Sequence, residues 1–413
     1  MLHQCCSRND HNAQAGWTAV VQFAIVGGAS VHPPPFSIFP PRSAIQYTRT
    51  VLQQLVEQLA EGHALSDEQV TAAVGQLIDE GMSAETKADF LTELSRKGET
   101  TGEIAAFARE LRARSIHPPL DAETRAREVL DVCGTGGDRL GTFNISTTVS
   151  IIVASAGVTV AKHGNRAITS QAGSADVLEA LGLRIDLEPD EAARSLRDHQ
   201  FAFFFAPKYH PAFKHIAPAR NLCAKRGRRT IFNFLGPLLN PARPSAQLVG
   251  VPRAELCEPI ARVLQSLGVR RGMVVSGEVS SPGFRVSSSA EVTNSTTFLD
   301  ELSTLGETRI AEFYQDRGFV TSVMSPDCFP IQSATLADLA GSDRATNARI
   351  VRRLLCGEER GPKRDAVLLN AAAALFVAGK TKSMVEGWES GVELIDSGKA
   401  EAKLKELIVA SGV

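Results

Sequence analysis

A chain of 413 residues with 43% hydrophobic side chains is too long and too apolar for a single small module or a disordered polymer, and it suits one large and one small domain. Its 44 Lys and Arg offset 46 Asp and Glu to a net charge of −2, which excludes the basic domain that polyanion binders carry. A local phosphate site stays compatible with that balance, because backbone N–H groups hold phosphate without altering net charge.

Residues 1–46 differ from the rest and include Pro33-Pro34-Pro35 and Pro40-Pro41; we expect a disordered extension. The apolar run Ala19–Val26 follows a single basic residue, Arg8, and then Asp10, so it lacks the positive start of a secretory signal. No run is long and apolar enough to span a bilayer, and no membrane partner is expected. The seven cysteines have no zinc-ligand spacing. Free thiols in a reducing cytoplasm are the expectation.

From Tyr47 the pattern turns helical. Ser66 and Gln69 form a capping box ahead of Val70, Val74, Leu77 and Ile78, which share one helix face. Gly81 is placed to stop that helix. Ser83 caps a helix carrying Phe90, Leu91 and Leu94, and Thr100 with Glu103 opens another carrying Ile104, Phe107 and Leu111. Residues 47–116 therefore read as a small helical domain. After His117-Pro118-Pro119, residues 117–413 alternate strands and helices. Val129–Cys133, Val158–Ala161, Phe201–Phe205, Leu248–Val251 and Met273–Val275 read as strands. Ile145–Ala156, Ala175–Leu181, Leu256–Leu267 and Asp365–Ala378 read as helices. The fold class is α/β, with a mostly parallel central sheet flanked by helices. The serine-rich stretch 277–299 reads as a loop or irregular hairpin.

Four stretches carry chemistry. Gly134-Thr135-Gly136-Gly137-Asp138 follows a strand and precedes the helix starting near Asn144. Such a turn brings N–H groups close to phosphate, and Ser146, Thr147 and Thr148 add hydroxyls. It has neither the Lys-Ser/Thr ending of a P-loop nor the dinucleotide spacing, which argues against ATP and NAD. Lys162-His163-Gly164-Asn165-Arg166 follows a strand directly, at the edge where open α/β sheets bind ligands, and Gly173-Ser174 opens a helix on that edge. His210 is followed by Arg220, a residue type suited to gripping a carboxylate. Asp300-Glu301 can hold Mg²⁺ when phosphates complete its ligand shell.

Taken together, these stretches, with Asn144-Ile145-Ser146-Thr147, Arg229-Thr230-Ile231-Phe232-Asn233 and Leu235-Gly236-Pro237, resemble the anthranilate phosphoribosyltransferases from about residue 47 to the C-terminus. The resemblance implies that the helical domain, joined by helices from about 208–226, forms a homodimer and that substrates lie in a cleft beside the α/β domain. It implies transfer of the 5-phosphoribosyl group of phosphoribosyl pyrophosphate to anthranilate, an early step of tryptophan biosynthesis, with two Mg²⁺ per subunit. Gly134, Thr135, Gly136, Gly137, Asp138, Thr142, Asn144, Ser146, Thr147, Lys162 and Ser174 match positions that bind phosphoribosyl pyrophosphate. Gly134, His163, Asn165, His210 and Arg220 match the anthranilate path. Ser146, Asp300 and Glu301 match metal positions.

An arylamine attacks without prior deprotonation, so no residue is assigned as an essential base; positioning and charge stabilisation supply the acceleration. Two departures stand out. The strand Val274-Val275-Ser276-Gly277 lacks the His-Gly usual before the acidic pair, and an insertion of about twenty residues separates it from Asp300. The segment Asn221–Arg228 is slightly longer than usual. The alternatives are an enzyme like the pyrimidine nucleoside phosphorylases, or a catalytically silent relative that binds nucleic acid, although the acidic balance argues against a nucleic-acid partner.

Overall fold

The computed structural model describes residues 49–167, 171–279, 297–315 and 318–412. The extension 1–46 and most of the serine-rich stretch, residues 280–296, lie outside the described residues.

Four helices come first: α1 (Val51–Ala60), α2 (Asp67–Ile78), α3 (Ala84–Lys97) and α4 (Thr101–Ala113). Thr50, Ser66 and Thr100 each cap a helix reciprocally with the residue three positions on. α2 ends three residues before the expected glycine stop, because Asp79 turns extended and its carboxylate accepts the Gly81 N–H at 2.9 Å. The apolar faces meet through Leu52, Leu59, Val74, Leu77, Phe90 and Phe107, all at most 1% exposed. Burial of each such side chain stabilises the fold by about 1.5–3 kcal/mol.

Next come α5 (Ala122–Ala126), β1 (Val129–Gly134), α6 (Ile145–Ser155), β2 (Thr159–Gly164), α7 (Ser174–Leu181), α8 (Pro189–His199) and β3 (Phe201–Phe205). Two short helices, α9 (Ala206–Tyr209) and α10 (Ala217–Lys225), lead to β4 (Ala246–Gly250), α11 (Cys257–Ser266) and β5 (Arg271–Val279). Then follow β6 (Thr297–Leu299), β7 (Thr308–Tyr314) and β8 (Gly318–Met324), and the helices α12 (Arg344–Leu355), α13 (Pro362–Val377), α14 (Met384–Asp396) and α15 (Lys399–Ala410). α10 lies on α3: Cys223 Sγ meets the Ala88 carbonyl at 3.5 Å, and Arg226 pairs with Asp89 at 2.7 Å.

The strands form one sheet in the order β3-β2-β1-β4-β5-β7-β8, with β6 also paired to β5. β3, β2, β1, β4 and β5 are mutually parallel; β6, β7 and β8 add antiparallel pairs at one side. This is the mostly parallel α/β sheet expected from the alternating elements. α13 is buried on nearly every side, as its Ala-rich sequence requires.

Two strands run further than expected, and two were not expected. β2 continues through Lys162 and His163 to Gly164, because these residues pair with Phe203, Phe204 and Phe205 of β3. The two polar residues are thus part of a buried strand rather than of the turn after it. β5 likewise runs to Val279. The antiparallel strands β7 and β8 had no sequence signal, since Arg309 and Glu312 interrupt β7 and most of β8 is exposed.

The chain order reverses between β1 and β4, where open α/β sheets form their ligand crevice. The insertion before the acidic pair does not displace it. β6 folds back antiparallel onto β5, pairing Leu299 with Gly277 and returning Asp300 to the strand ends. The segment after β6 crosses β1, β4 and β5 where each carries a glycine. A Cβ on Gly250 would stand 1.5 Å from the Asp300 carbonyl oxygen, one on Gly134 2.8 Å from its carboxyl carbon, and one on Gly277 2.6 Å from the Glu301 carbonyl. Gly250→Ala is expected to destabilise the protein by about 3 kcal/mol, because backbone must move to admit the methyl group. Urea unfolding checks this; an unchanged midpoint counts against the close approach.

Candidate active site

β1 ends at Gly134, and the turn behind it presents N–H groups toward the crevice. Gly136 has φ +69°, a conformation glycine adopts without strain. The Thr135 N–H donates to the Gly250 carbonyl at 3.0 Å and ties the turn to β4. The Gly136 N–H, at 2.5 Å, and the Thr135 hydroxyl, at 3.2 Å, both donate to the Asp300 carboxylate. The turn is therefore built to receive an oxyanion. Asp138 accepts the Leu140 N–H at 3.2 Å and the Asp300 N–H at 3.4 Å. A cavity of about 380 Å³ adjoins Gly137 and Asp138, with Arg229 and Arg253 on its wall.

Lys162 lies beneath this turn, 1% exposed. Its ammonium donates to the Val132 carbonyl at 2.7 Å and to the Ser146 hydroxyl at 3.3 Å. Burial lowers its pKa, while Asp131 and Glu301 oppose that shift. Ser146 sits in the first turn of α6, and its backbone lies near enough to Glu301 to oppose the upward shift of that carboxyl. Glycine turn, helix start, lysine and acidic pair thus form one polar cluster at the sheet's switch point.

The acidic pair is held from behind. Asn370 of α13 donates to the Leu302 carbonyl and accepts the Leu302 N–H, each at 3.0 Å. Ser303 donates to the Glu278 carbonyl at 2.6 Å and accepts the Leu305 N–H at 3.0 Å. Burial pushes the Asp300 carboxyl well above its ordinary range, with Asp138 and Glu301 adding to the shift. Burial pushes Glu301 up to about 8. Among the described residues neither acid forms a salt bridge. Buried oxygen donors lacking a paired cation suit a hard divalent ion such as Mg²⁺, with ligands also drawn from phosphate.

A chain of ring contacts runs from the end of β2. His163 and His210 meet edge-on with centroids 5.3 Å apart, and His210 stacks on Phe213 at 5.1 Å. Phe213 meets Phe232 at 5.7 Å, and the Arg220 guanidinium lies 5.5 Å above Phe232. Arg220 is half-buried, which lowers its pKa, and it has no carboxylate partner among the described residues. Burial drives His163 down to about 3 and His210 to about 4, so both rings are neutral. One end of the crevice is suited to phosphates and metal, the other to a flat ring bearing a carboxylate.

Residues 126–285 and 283–401 match the α/β domain of a glycosyl transferase family, and residues 53–115 match the helical bundle domain of a family of the same name. The chain is 42% identical over 369 residues to the anthranilate phosphoribosyltransferase of Geobacter sulfurreducens, covering 87% of this chain and 99% of that protein. The chain belongs to the anthranilate phosphoribosyltransferase family. The Caulobacter vibrioides anthranilate phosphoribosyltransferase is 42% identical across 86% of this chain and 96% of its own length. The solved enzyme of Thermus thermophilus superposes with a TM-score of 0.74 at 38% identity, covering 87% of this chain and 99% of that one. The Saccharomyces cerevisiae enzyme, solved with phosphoribosyl pyrophosphate and Mg, superposes with a TM-score of 0.74 at 26% identity, covering 87% and 98%.

Other residues matched to the family's pattern have more local surroundings. Thr142 bridges to Ala340. Asn144 donates to the Ala172 carbonyl at 3.3 Å and accepts from Asn347 at 2.9 Å, joining the loop before α7 to α12. The Thr147 hydroxyl is buried without a partner. Ser174 donates to the Asn165 carbonyl at 3.4 Å, while the exposed Asn165 side chain accepts the Arg166 N–H at 2.7 Å. No hydrogen bond among the described residues joins Ser174 or Asn165 to the acidic pair.

Sequence reasoning missed the supporting residues. Asp131, fully buried and raised by that burial to about 6, accepts from Asn240 at 2.8 Å and from the His163 N–H at 3.3 Å. Asp131 adjoins the glycine turn and could have been read as a buried strand acid; Asn370 lies 70 residues past the acidic pair, in an Ala-rich helix, and gave no signal. Replacing Asp300 by Asn together with Glu301 by Gln is expected to cut Mg²⁺-dependent turnover about 100-fold. Rates measured across a Mg²⁺ titration check this, and an unchanged titration curve removes the two acids from the metal site.

Proposed function

We propose that this chain transfers the 5-phosphoribosyl group of phosphoribosyl pyrophosphate to anthranilate, giving N-(5-phosphoribosyl)anthranilate and pyrophosphate in an early step of tryptophan biosynthesis. The observation that carries this reading is an acidic pair at the strand ends with no salt bridge among the described residues, together with an Arg220 that has no carboxylate partner among them. A nucleoside phosphorylase would leave both without a purpose.

The glycine-turn N–H groups and the start of α6 hold the pyrophosphate, with Asp138, Thr142, Asn144, Thr147 and Ser174 lining its approach. Lys162 holds Ser146 in place and adds positive charge beneath the leaving group. Ser146, Asp300 and Glu301 hold two Mg²⁺ per subunit, which supply charge neutralisation for the departing pyrophosphate. Arg220 grips the anthranilate carboxylate, and His163, Asn165 and His210 orient the ring beside Gly134. The arylamine lone pair is already free, so the chain's task is to place it against the sugar carbon and exclude water.

We further assign a homodimer formed through the helical domain and a cytoplasmic location. Cys133, Cys223, Cys257, Cys328 and Cys356 are unpaired, as thiols are in a reducing compartment. No described helix is long and apolar enough to cross a membrane. Sedimentation velocity should give twice the chain mass; a monomer at micromolar concentration rejects the dimer.

Purified protein should quench anthranilate fluorescence only when phosphoribosyl pyrophosphate and Mg²⁺ are both present. If folded protein gives no loss, the reading fails. Arg220→Ala should raise the KM for anthranilate about 10- to 100-fold, the loss of a charge-assisted contact, and leave that for phosphoribosyl pyrophosphate within about twofold. Equal effects on both substrates would reject the carboxylate assignment.

A further inference from the structure

Lys87 of α3 is 2% exposed, and its ammonium has no carboxylate within ion-pair distance among the described residues. It donates instead to two carbonyls from distant parts of the chain: Asp79, at the end of α2, at 2.6 Å, and His215, at 2.9 Å. His215 closes the 3-10 turn Pro211–His215 that leads into α10. Both carbonyls stand where a helical turn ends, a place that favours a cation. Burial lowers the pKa of Lys87, and the Asp79 charge opposes that shift. An apolar side chain of similar length would pack there without the cost of burying a charge. The distinguishing act of the ammonium is to join these two carbonyls.

What the His215 carbonyl anchors is the start of α10. The next residue, Ile216, is the N-cap of that helix, and its carbonyl accepts the Arg220 N–H at 3.1 Å. Lys87 therefore grips the chain one residue before the turn that places Arg220. The rest of α10 is fastened to the same helix. Buried Cys223 meets the Ala88 carbonyl at 3.5 Å and the Thr92 hydroxyl at 3.7 Å, and Arg226 pairs with Asp89 at 2.7 Å. On its other side Arg220 lies over Phe232, in a 3-10 turn where the Asn233 side chain accepts the Thr230 N–H at 2.8 Å. The guanidinium has no ion pair among the described residues, so the helix that carries it and the ring beneath it set its direction.

We propose that Lys87 is a positioning residue: by tying the His215 carbonyl to α3 it sets where Arg220 stands, and so tunes affinity for the carboxylate-bearing acceptor from within the helical domain. The inference rests on the function proposed above for the role of Arg220. Lys87 acts through the backbone of residues 215–220, and no bond forms or breaks at its ammonium. A two-point grip on a carboxylate depends on the placement of the guanidinium, so a small displacement of α10 weakens the acceptor. The glycine turn, the start of α6 and the acidic pair stand on other elements and are left in place.

Hydrogen–deuterium exchange of the full chain tests the link without substrate. In Lys87→Met the amides of residues 216–225 should exchange about tenfold faster, the worth of one charge-assisted hydrogen bond, while those of α6 and α13 keep their protection. Unchanged protection at 216–225, or an equal loss throughout the chain, would overturn the proposal. Kinetics test the consequence. Lys87→Met should raise the KM for anthranilate about tenfold and leave that for phosphoribosyl pyrophosphate within about twofold. Added to Arg220→Ala, the same substitution should change the anthranilate KM by less than about twofold, because the group it positions is gone. Full additivity, or equal effects on both substrates, would overturn the positioning role. Lys87→Gln, which keeps N–H donors without the charge, gives the same readouts if Lys87→Met does not fold. Faster exchange at 216–225 in Lys87→Met, with no turnover of anthranilate by the folded parent protein, would overturn the proposed function and the acceptor but not the link between Lys87 and α10.

Discussion

The crevice depends on one steric constraint: a backbone segment bearing two carboxylates is pressed onto the ends of three strands. Gly134, Gly250 and Gly277 lack the Cβ atoms that would keep Asp300 and Glu301 away. Close approach buries Asp300 and half-buries Glu301, and loss of water makes their charge expensive without a partner. The protein supplies the Gly136 N–H, the nearby start of α6 and the field of Lys162, but no ion pair among the described residues. On the proposed reading, a cation with phosphate attached would serve both the acids and the N–H donors of this site.

Holding that segment requires rigidity on its far side. Asn370 grips Leu302 by both of its backbone groups, and Ser303 fastens the following turn to β5. Both contacts are buried, where an unmade hydrogen bond is costly, so the segment has little freedom to retreat. α13 supplies Asn370 because its small alanines allow it to lie close against the sheet and α14. Packing in the large domain therefore reaches the segment that carries the acidic pair through a single amide.

The other half of the crevice follows the opposite electrostatic rule. Its histidines are kept neutral by burial, phenylalanine rings pack beside them, and Arg220 stands over Phe232. On the proposed reading, a flat ring with a carboxylate would take that end and phosphates the other. Between the halves, Asp131 and Asn240 join β1, the end of β2 and the 236–239 turn through buried hydrogen bonds, so the polar and aromatic ends share one support.

Much of this was legible in the sequence. Capping boxes at Ser66 and Thr100, apolar periodicity and alternating strands and helices are local signals, and they gave the helical domain and the parallel sheet. The glycine turn, Lys162 and the acidic pair were visible because phosphate and metal chemistry uses few residue types in short runs. The sequence by itself determined which groups are available and on which elements they lie. Only the tertiary structure decided that β2 continues through Lys162 and His163, that β6 returns Asp300 across an insertion, and that Asn370 grips the segment after the acidic pair and Lys87 the turn before α10. Those last two contacts join residues 68 and 128 positions apart, with side chains individually unremarkable in their own neighbourhoods. Local sequence cannot encode them, because strand pairing, burial and the choice of one carbonyl over another are fixed only when distant segments pack together.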